Sequence, residues 1–322
     1  MRITENALNV MAVLGFKGIR NAWVNKHLST RKTVSEIVEL LNNSVASLSV
    51  SVDEFNRRKK AVKEALSQLS VYVDGVVAIG DDDFPPCRGI VKDSEKPVFL
   101  LYRGDLSLLA ADSKNVAVIG LLNPIQEIER IEREVVARLV EGGAVIVSGL
   151  ARGCDTIAHK QTLDSGGRTV AILPSPLNNI LPEQNRALAT EIVKHGGLLI
   201  SEYFTSPKSR MELRGRYIER DRLQALYSNV VVLIASYSKD DIGCDSGSRF
   251  AMEYAKKYSI PRAVLYDDKP CSNDQYNLNR QIISQDTSVY IVRWDNISSS
   301  VNDVLSLRPS VHSKLLQYSL IQ

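Results

Sequence analysis

Two hydrophobic periods divide this chain. From Ala7 to about Leu69, apolar residues recur every three or four positions in ALNVMAVLGF, NAWVNKHL, VSEIVELLN and VDEFNRRKKAVKEALSQL. That spacing lays one apolar stripe along a helix and predicts a small all-α domain over residues 1–70. After Val71 the pattern shortens. YVDGVVAIGDDDFPPCRGI and PVFLLYRGDLSLL read as short strands punctuated by Gly, Asp and Pro. The runs NVAVIG, AVIVSG, RTVAIL, GLLISEY, NVVVLIAS, RAVLY and VYIVRW then alternate with helical stretches over 125–141, 155–165, 183–195, 218–227 and 246–258. YNLNRQIIS and a segment around 301–307 add two further helices. Val- and Ile-rich strands alternating with amphipathic helices predict an α/β domain over 71–322, its parallel sheet covered on both faces. Ligands of such sheets sit at the carboxyl ends of the strands, so the loops after Ile119, Val147, Leu173, Ile200 and Ala235 are the ones to inspect.

Composition narrows the function classes. With 322 residues, 44% of them hydrophobic, the chain can bury a substantial core. Forty basic against 37 acidic side chains leave +3, so nucleic acid would have to be met by a local patch. Cys87, Cys154, Cys244 and Cys271 form no C-x-x-C pair and no zinc-spaced cluster, and are expected to be reduced thiols of a cytoplasmic protein. No secretory leader pattern opens the chain and no run approaches 18 apolar residues, so no membrane association is expected. No metal or other cofactor is expected either.

SGLARGCDTIAH, residues 148–159, runs from a strand straight into a helix. Its glycines suit either a plain strand-to-helix turn or a loop whose N–H groups approach an anion. Asp155 is expected to cap the helix N-terminus, and His159 to be a satisfied core histidine. In LGFKGIRNAWVNK, Gly15 and Gly18 separate two helices in the manner of a helix-hairpin-helix; Arg20 stands where a second glycine belongs, which favours an ordinary turn. The segment 205–226, TSPKSRMELRGRYIERDRLQAL, holds Lys208, Arg210, Arg214, Arg216, Arg220 and Arg222 against three acids. It is the best candidate for a basic patch, with a solvated helix face as the alternative.

In order along the chain, these elements resemble the DprA/Smf family of DNA-processing proteins. SGLARGCDTIAH is similar to that family's S-G-L-A-x-G-I-D-x-x-A-H, and GGRTVAIL with LPEQNRALA to its G-G-R-T-I-A-V-L and Y-P-x-E-N-x-x-L-A. GGLLISEY, YIERDRLQALYSNVVVLIAS and DSGSRFAMEYA are similar to its later motifs, and IGDDDFPPCRGI and FLLYRGDLSLL to its earlier ones. The resemblance implies an extended Rossmann-like domain that binds single-stranded DNA, forms a homodimer and hands the strand to a RecA-type recombinase, without catalysis. Carried over by position, the nucleic-acid or phosphate contacts would be Gly120, Ser148, Gly149, Arg152, Gly153, Lys208, Arg214, Arg216, Tyr217, Arg220, Arg222, Ser246, Gly247 and Ser248. Tyr217 would offer a ring on which a base can stack.

Departures from the pattern matter too. Gly120-Leu121-Leu122 replaces the family's G-S-R, removing an arginine, and Pro174-Ser175-Pro176 replaces G-T-G. Ala251 stands where S-G-S-x-x-T has its threonine, and the winged helix that many members carry is not expected in the tail of this sequence. These losses motivate an alternative, a regulatory partner or antitoxin in a phage-defence pair or in a toxin-antitoxin pair with a cognate toxin. A lesser one is a nucleoside-monophosphate hydrolase of the Lonely Guy type, whose glycine pair and threonine DSGSRFAME lacks.

Overall fold

The computed structural model describes residues 1–44, 48–241, 247–267 and 273–310. In chain order the elements are β1 (Arg2–Ile3), α1 (Glu5–Val13), α2 (Asn21–His27), α3 (Val34–Ser44), α4 (Val52–Ser67), β2 (Gly75–Ala78), β3 (Phe99–Gly104), β4 (Asn115–Ile119), α5 (Gln126–Glu141), β5 (Val145–Ser148), α6 (Cys154–Asp164), β6 (Thr169–Ile172), α7 (Arg186–Lys194), β7 (Leu198–Ser201), α8 (Arg210–Leu226), β8 (Val230–Leu233), α9 (Ser248–Lys257), β9 (Arg262–Leu265), α10 (Asn277–Gln285), β10 (Tyr290–Val292) and α11 (Ile297–Ser306). The chain folds as two units, one of residues 1–86, 92–111 and 170–217, the other of 87–91, 112–169 and 218–322. A boundary at residue 70 therefore differs from the observed grouping, in which the N-terminal helices share a unit with strands from two later parts of the chain.

In the first unit the strands run β1-β2-β3-β7-β6. β1 pairs parallel with β2 and β6 with β7, whereas β3 is antiparallel to both of its neighbours. The sheet is mostly parallel, as expected, and departs from that only at β3, because the link from β2 to β3 reverses the chain without a crossover helix. β1 lies ahead of the helical segment and is too short to leave a period in the sequence. The helices carry their own stop and start signals. Thr4 Oγ1 accepts the Ala7 N–H at 2.9 Å and Ser51 Oγ accepts that of Glu54 at 3.1 Å. Thr33 and Glu36 form a reciprocal capping box, at 2.7 Å and 3.3 Å. Phe16 stacks on Phe55 with centroids 6.2 Å apart, fastening the turn after α1 to α4.

In the second unit the order is β5-β4-β8-β9-β10, and every pair is parallel. Val116 and Val118 of β4 join a core cluster with Ile131, Val135 and Leu139 of α5 and Val301 and Val304 of α11. Ala117 and Ile119, on the opposite face of β4, are equally buried. Burial on both faces explains the uninterrupted apolar strands. Strand order reverses at β4, with β5 on one side and β8 on the other, so the loops after β4 and β8 diverge and leave a crevice at the strand ends.

Candidate nucleic-acid interface

The crevice of the second unit is built by residues that bind one another. Ser148, fully buried at the end of β5, donates its hydroxyl to the Val118 carbonyl at 2.8 Å. Beyond it the chain turns through Leu150, a buried residue with φ of 59°, a conformation costly for leucine and found where surrounding contacts impose it. The N–H groups of Gly149 and Ala151 both donate to Asp155 Oδ2, at 3.1 and 3.2 Å. The anion cradled by these two amides is therefore the chain's own carboxylate. This corrects the expected cap, since Gly153 occupies the N-cap of α6 and Asp155 reaches back to the loop.

Beneath the loop lies Arg220. Its Nη1 is 3.8 Å from Asp155 Oδ2 and 3.5 Å from Asp221 Oδ1, and all three side chains are at least nine-tenths buried. A Cβ placed on Gly149 would overlap the Arg220 guanidinium, so this glycine is required by the close approach of that group rather than by backbone freedom. Gly153 has φ of 69°, and a Cβ there would strike the Leu121 carbonyl and the Leu122 backbone. The Cys154 N–H donates to that same Leu121 carbonyl at 2.9 Å. Gly120 faces Cys154 equally closely, with Sγ 2.5 Å from where a Cβ would lie. The Ser248 hydroxyl donates to the Gly120 carbonyl at 2.9 Å, and Gly247 caps α9 with φ of 81°.

The basic-patch expectation needs a matching correction. Arg216, Arg220 and Arg222 are 7%, 5% and 9% exposed, so they do not form a solvent-facing row. Arg216 bonds Glu212 Oε1 at 2.6 Å and the Thr205 carbonyl at 2.7 Å, and its guanidinium lies 4.2 Å from the centre of the Tyr203 ring. Glu212 also accepts the Lys208 N–H at 2.8 Å, and that bond, with Arg216 next, holds its carboxyl below the usual range. Arg222 donates to the Glu219 carbonyl at 2.9 Å. Alternating charges in this helix pair locally, as the i,i+4 link from Glu212 to Arg216 illustrates. The cations that remain exposed are Lys208, Arg210 and Arg214 in the first unit and Arg152 in the second. Tyr217 is half-buried, and Ser246 lies outside the described residues. Leu121, where the resemblance offers a polar loop, is 1% exposed and part of the core, while Leu122 beside it is half-buried.

Reading the sequence missed the polar floor of this site. Thr169 Oγ1 spends its proton on the Ile146 carbonyl at 2.6 Å, so His159 Nδ1, 2.7 Å away, is the donor between them. His159 Nε2 is buried without a partner among the described residues, which corrects the expectation of a fully satisfied histidine. Burial, with the nearby Arg220 charge second, lowers its pKa to about 3. Glu132, in the middle of α5, is fully buried, and burial raises its carboxyl well above the usual range. The adjacent Cys154 thiol is raised by burial and by Glu132. Asp155 is raised by burial, with Arg220 opposing. The one sequence signal for this floor was a polar residue, Glu132, inside the apolar stripe of α5.

A pH prediction follows from His159. Between its folded pKa of about 3 and an unfolded value of about 6.5, only the unfolded chain takes up the proton, so stability falls as pH drops below about 6.5. Glu132 and Asp155, with raised values, act in the opposite direction, so the difference between wild type and His159→Gln isolates the histidine. Urea midpoints are expected to show wild type losing about 2 kcal/mol more than the variant between about pH 7 and pH 5. Equal losses would remove the buried neutral imidazole from the account.

With this geometry in place, comparison with known proteins is informative. The model of the family described as DNA recombination-mediator protein A matches residues 75–302. Protein Smf of Synechocystis sp. is 33% identical over 213 residues, covering 64% of this chain and 50% of that protein. DNA processing protein DprA of Streptococcus pneumoniae is 29% identical over 253 residues, 77% of this chain and 84% of that one. The chain spans about half the length of the first of these curated relatives. The X-ray structure of the S. pneumoniae protein superposes with a TM-score of 0.67 at 23% identity, covering 94% of this chain and 98% of that one, and shows the shared fold. A Helicobacter pylori DNA processing protein A, whose structure concerns its single-stranded DNA binding mode, gives 0.56 at 29% identity over 71% of this chain and 95% of that one. With more than half of its residues matched by the family model, from β2 through the crevice loops to α11, this chain belongs to the DNA recombination-mediator protein A family.

Proposed function

We propose that the protein binds single-stranded DNA through its sugar-phosphate backbone in DNA processing or recombination, and that it acts by binding rather than by catalysis. The observation that carries this reading is the membership just established, together with side chains left over for a polyanion. Arg152 follows the strained Leu150 at the strand ends of the second unit, and Lys208, Arg210 and Arg214 stand exposed at the start of α8 in the first. None of the side chains of Arg152, Lys208, Arg210 and Arg214 joins an ion pair among the described residues, although Lys208 lies in the field of Glu212, which its own N–H binds. The groups that could have done chemistry, His159, Cys154 and Glu132, are sealed from solvent and meet no substrate. They build the platform on which the loops rest. The same reading includes a homodimer that passes its strand to a RecA-type recombinase, which sedimentation and a pull-down with the recombinase examine. No helix among the described residues is long and apolar enough to cross a membrane, which accords with action on DNA in the cytoplasm.

Fluorescence anisotropy with a labelled single-stranded oligonucleotide across a salt series tests the proposal. Each phosphate contact contributes about −0.7 to the slope of log K against log salt. Lys208→Glu with Arg214→Glu is expected to flatten that slope by about 1.4 and to weaken binding roughly fivefold per lost contact near 0.1 M salt. A wild type that binds no strand at low salt would end the proposal.

A further inference from the structure

We propose that the N-terminal helical segment is a second nucleic-acid contact, gripping backbone phosphates with the turn between α1 and α2 and with the exposed side of α4. It rests on the nucleic-acid reading above and adds a site outside residues 75–302, the stretch matched by the family.

Charge is segregated along this chain. Residues 1–70 hold eleven Lys and Arg against six Asp and Glu, so this segment is +5 while the remaining residues sum to −2. A general need for solubility would not concentrate the excess in one fifth of the chain. Four of the six acids are already engaged: Glu5 with Lys59 at 2.9 Å, Glu54 with Arg58 at 3.4 Å, Glu64 with Lys60 at 3.9 Å, and Glu36 in the capping box with Thr33. Lys17, Arg20, Lys26, Arg57 and Lys63 are exposed and have no acidic partner among the described residues.

The turn adds donors that point outward. Gly15, Phe16 and Ile19 give their N–H groups to the carbonyls of Ala12, Val13 and Phe16. Those of Lys17 and Gly18 have no acceptor among the described residues, and both residues are exposed. Gly18 has φ of 88°, the conformation that lets consecutive amides face one concavity and receive an anion. From behind, Arg58 donates to the Gly15 carbonyl at 2.9 Å and lies 4.1 Å from the centre of the Phe16 ring. That brace ties up a carbonyl that would repel a phosphate and fixes the turn before any ligand arrives. Arg20, which displaces the second glycine of a helix-hairpin-helix, supplies a cation beside the amides. Nothing in the turn reads a base, so recognition falls on the backbone common to single and double strands.

Anisotropy on the full chain tests this with a short and a long oligonucleotide, each single- and double-stranded. The variants are Lys17→Glu with Arg20→Glu, Arg57→Glu with Lys63→Glu, and Lys208→Glu with Arg214→Glu as the reference. All substituted side chains are exposed, and circular dichroism checks the fold. The turn pair is expected to lower the salt slope on the long single strand by about 1.4, with little change on the short one. A greater loss on duplex than on single strand would assign the contact to duplex flanks. Unchanged slopes in both N-terminal variants, while the α8 reference loses its own share, would overturn this inference and leave the proposed function standing. Absence of binding in wild type would overturn both.

Discussion

Replacing Arg220 with methionine is expected to cost about 3–5 kcal/mol of folding stability, the range for removing one partner of a buried ion pair. The guanidinium sits within 4 Å of two carboxylates, on Asp155 and Asp221, with 5% of its side chain exposed. Methionine fills similar volume but removes the cation from beside both buried carboxylates, and burial already raises Asp155 against the pull of Arg220. Without the arginine, Asp155 takes up a proton more readily and grips the N–H groups of Gly149 and Ala151 less firmly. DNA affinity is expected to fall with stability, although Arg220 touches no phosphate in this account. Chemical denaturation of Arg220→Met, Asp155→Asn and the double variant separates the effects. If the cost is an uncompensated charge, the double variant recovers part of what Arg220→Met loses. Simple addition of the two losses would show that Arg220 acts by packing alone.

Gly153→Ala should be comparably damaging, at about 3–5 kcal/mol, for a different reason. With φ of 69° and ψ of −127° the residue occupies backbone space open essentially to glycine alone, worth about 1–3 kcal/mol. The added methyl would also meet the Leu121 carbonyl and the Leu122 backbone, and main chain yields less readily than a side chain, adding a similar overpacking cost. The loop after β4 must then part from α6, breaking the bond from the Cys154 N–H to Leu121. Gly166→Ala is the control. That residue has φ of 70° with nothing within 4 Å of the added atom, so only the backbone cost of about 1 kcal/mol remains. Thermal unfolding of the two variants should differ by several degrees. Equal midpoints would mean that the loop relaxes freely.

The contrast between Arg214 and Arg216 shows what was legible in the sequence and what was not. Alternating apolar runs placed β4, β5, β8 and β9 because a strand buried on both faces has no other composition open to it. The motif order led to the crevice and to the family for the same reason, since glycines at close approaches cannot be replaced. Which arginine faces water is a matter of helix phase and of what lies opposite. Arg216 lies over Tyr203 and bonds the Thr205 carbonyl, both from the loop before α8, and no local spacing reveals that such a loop folds back. Asp155 was seen as a cap because acids favour helix starts; its bonds run to preceding residues that need the αL turn at Leu150 to bring them within reach. β1 is illegible because two residues carry no period, and the antiparallel course of β3, though not the strand itself, because strand direction leaves no mark on composition.

Strand order has a consequence for how this protein can change. The opening between the loops after β4 and β8 exists because the strand that follows β4 lies on one side of it and the later strand β8 on the other. Side chains decorate that opening without creating it. The side chain at a position such as Leu122 can change while the hollow persists, open to a new set of tenants. Connectivity supplies the durable part of the site, and its chemistry is the part that substitution is free to rewrite.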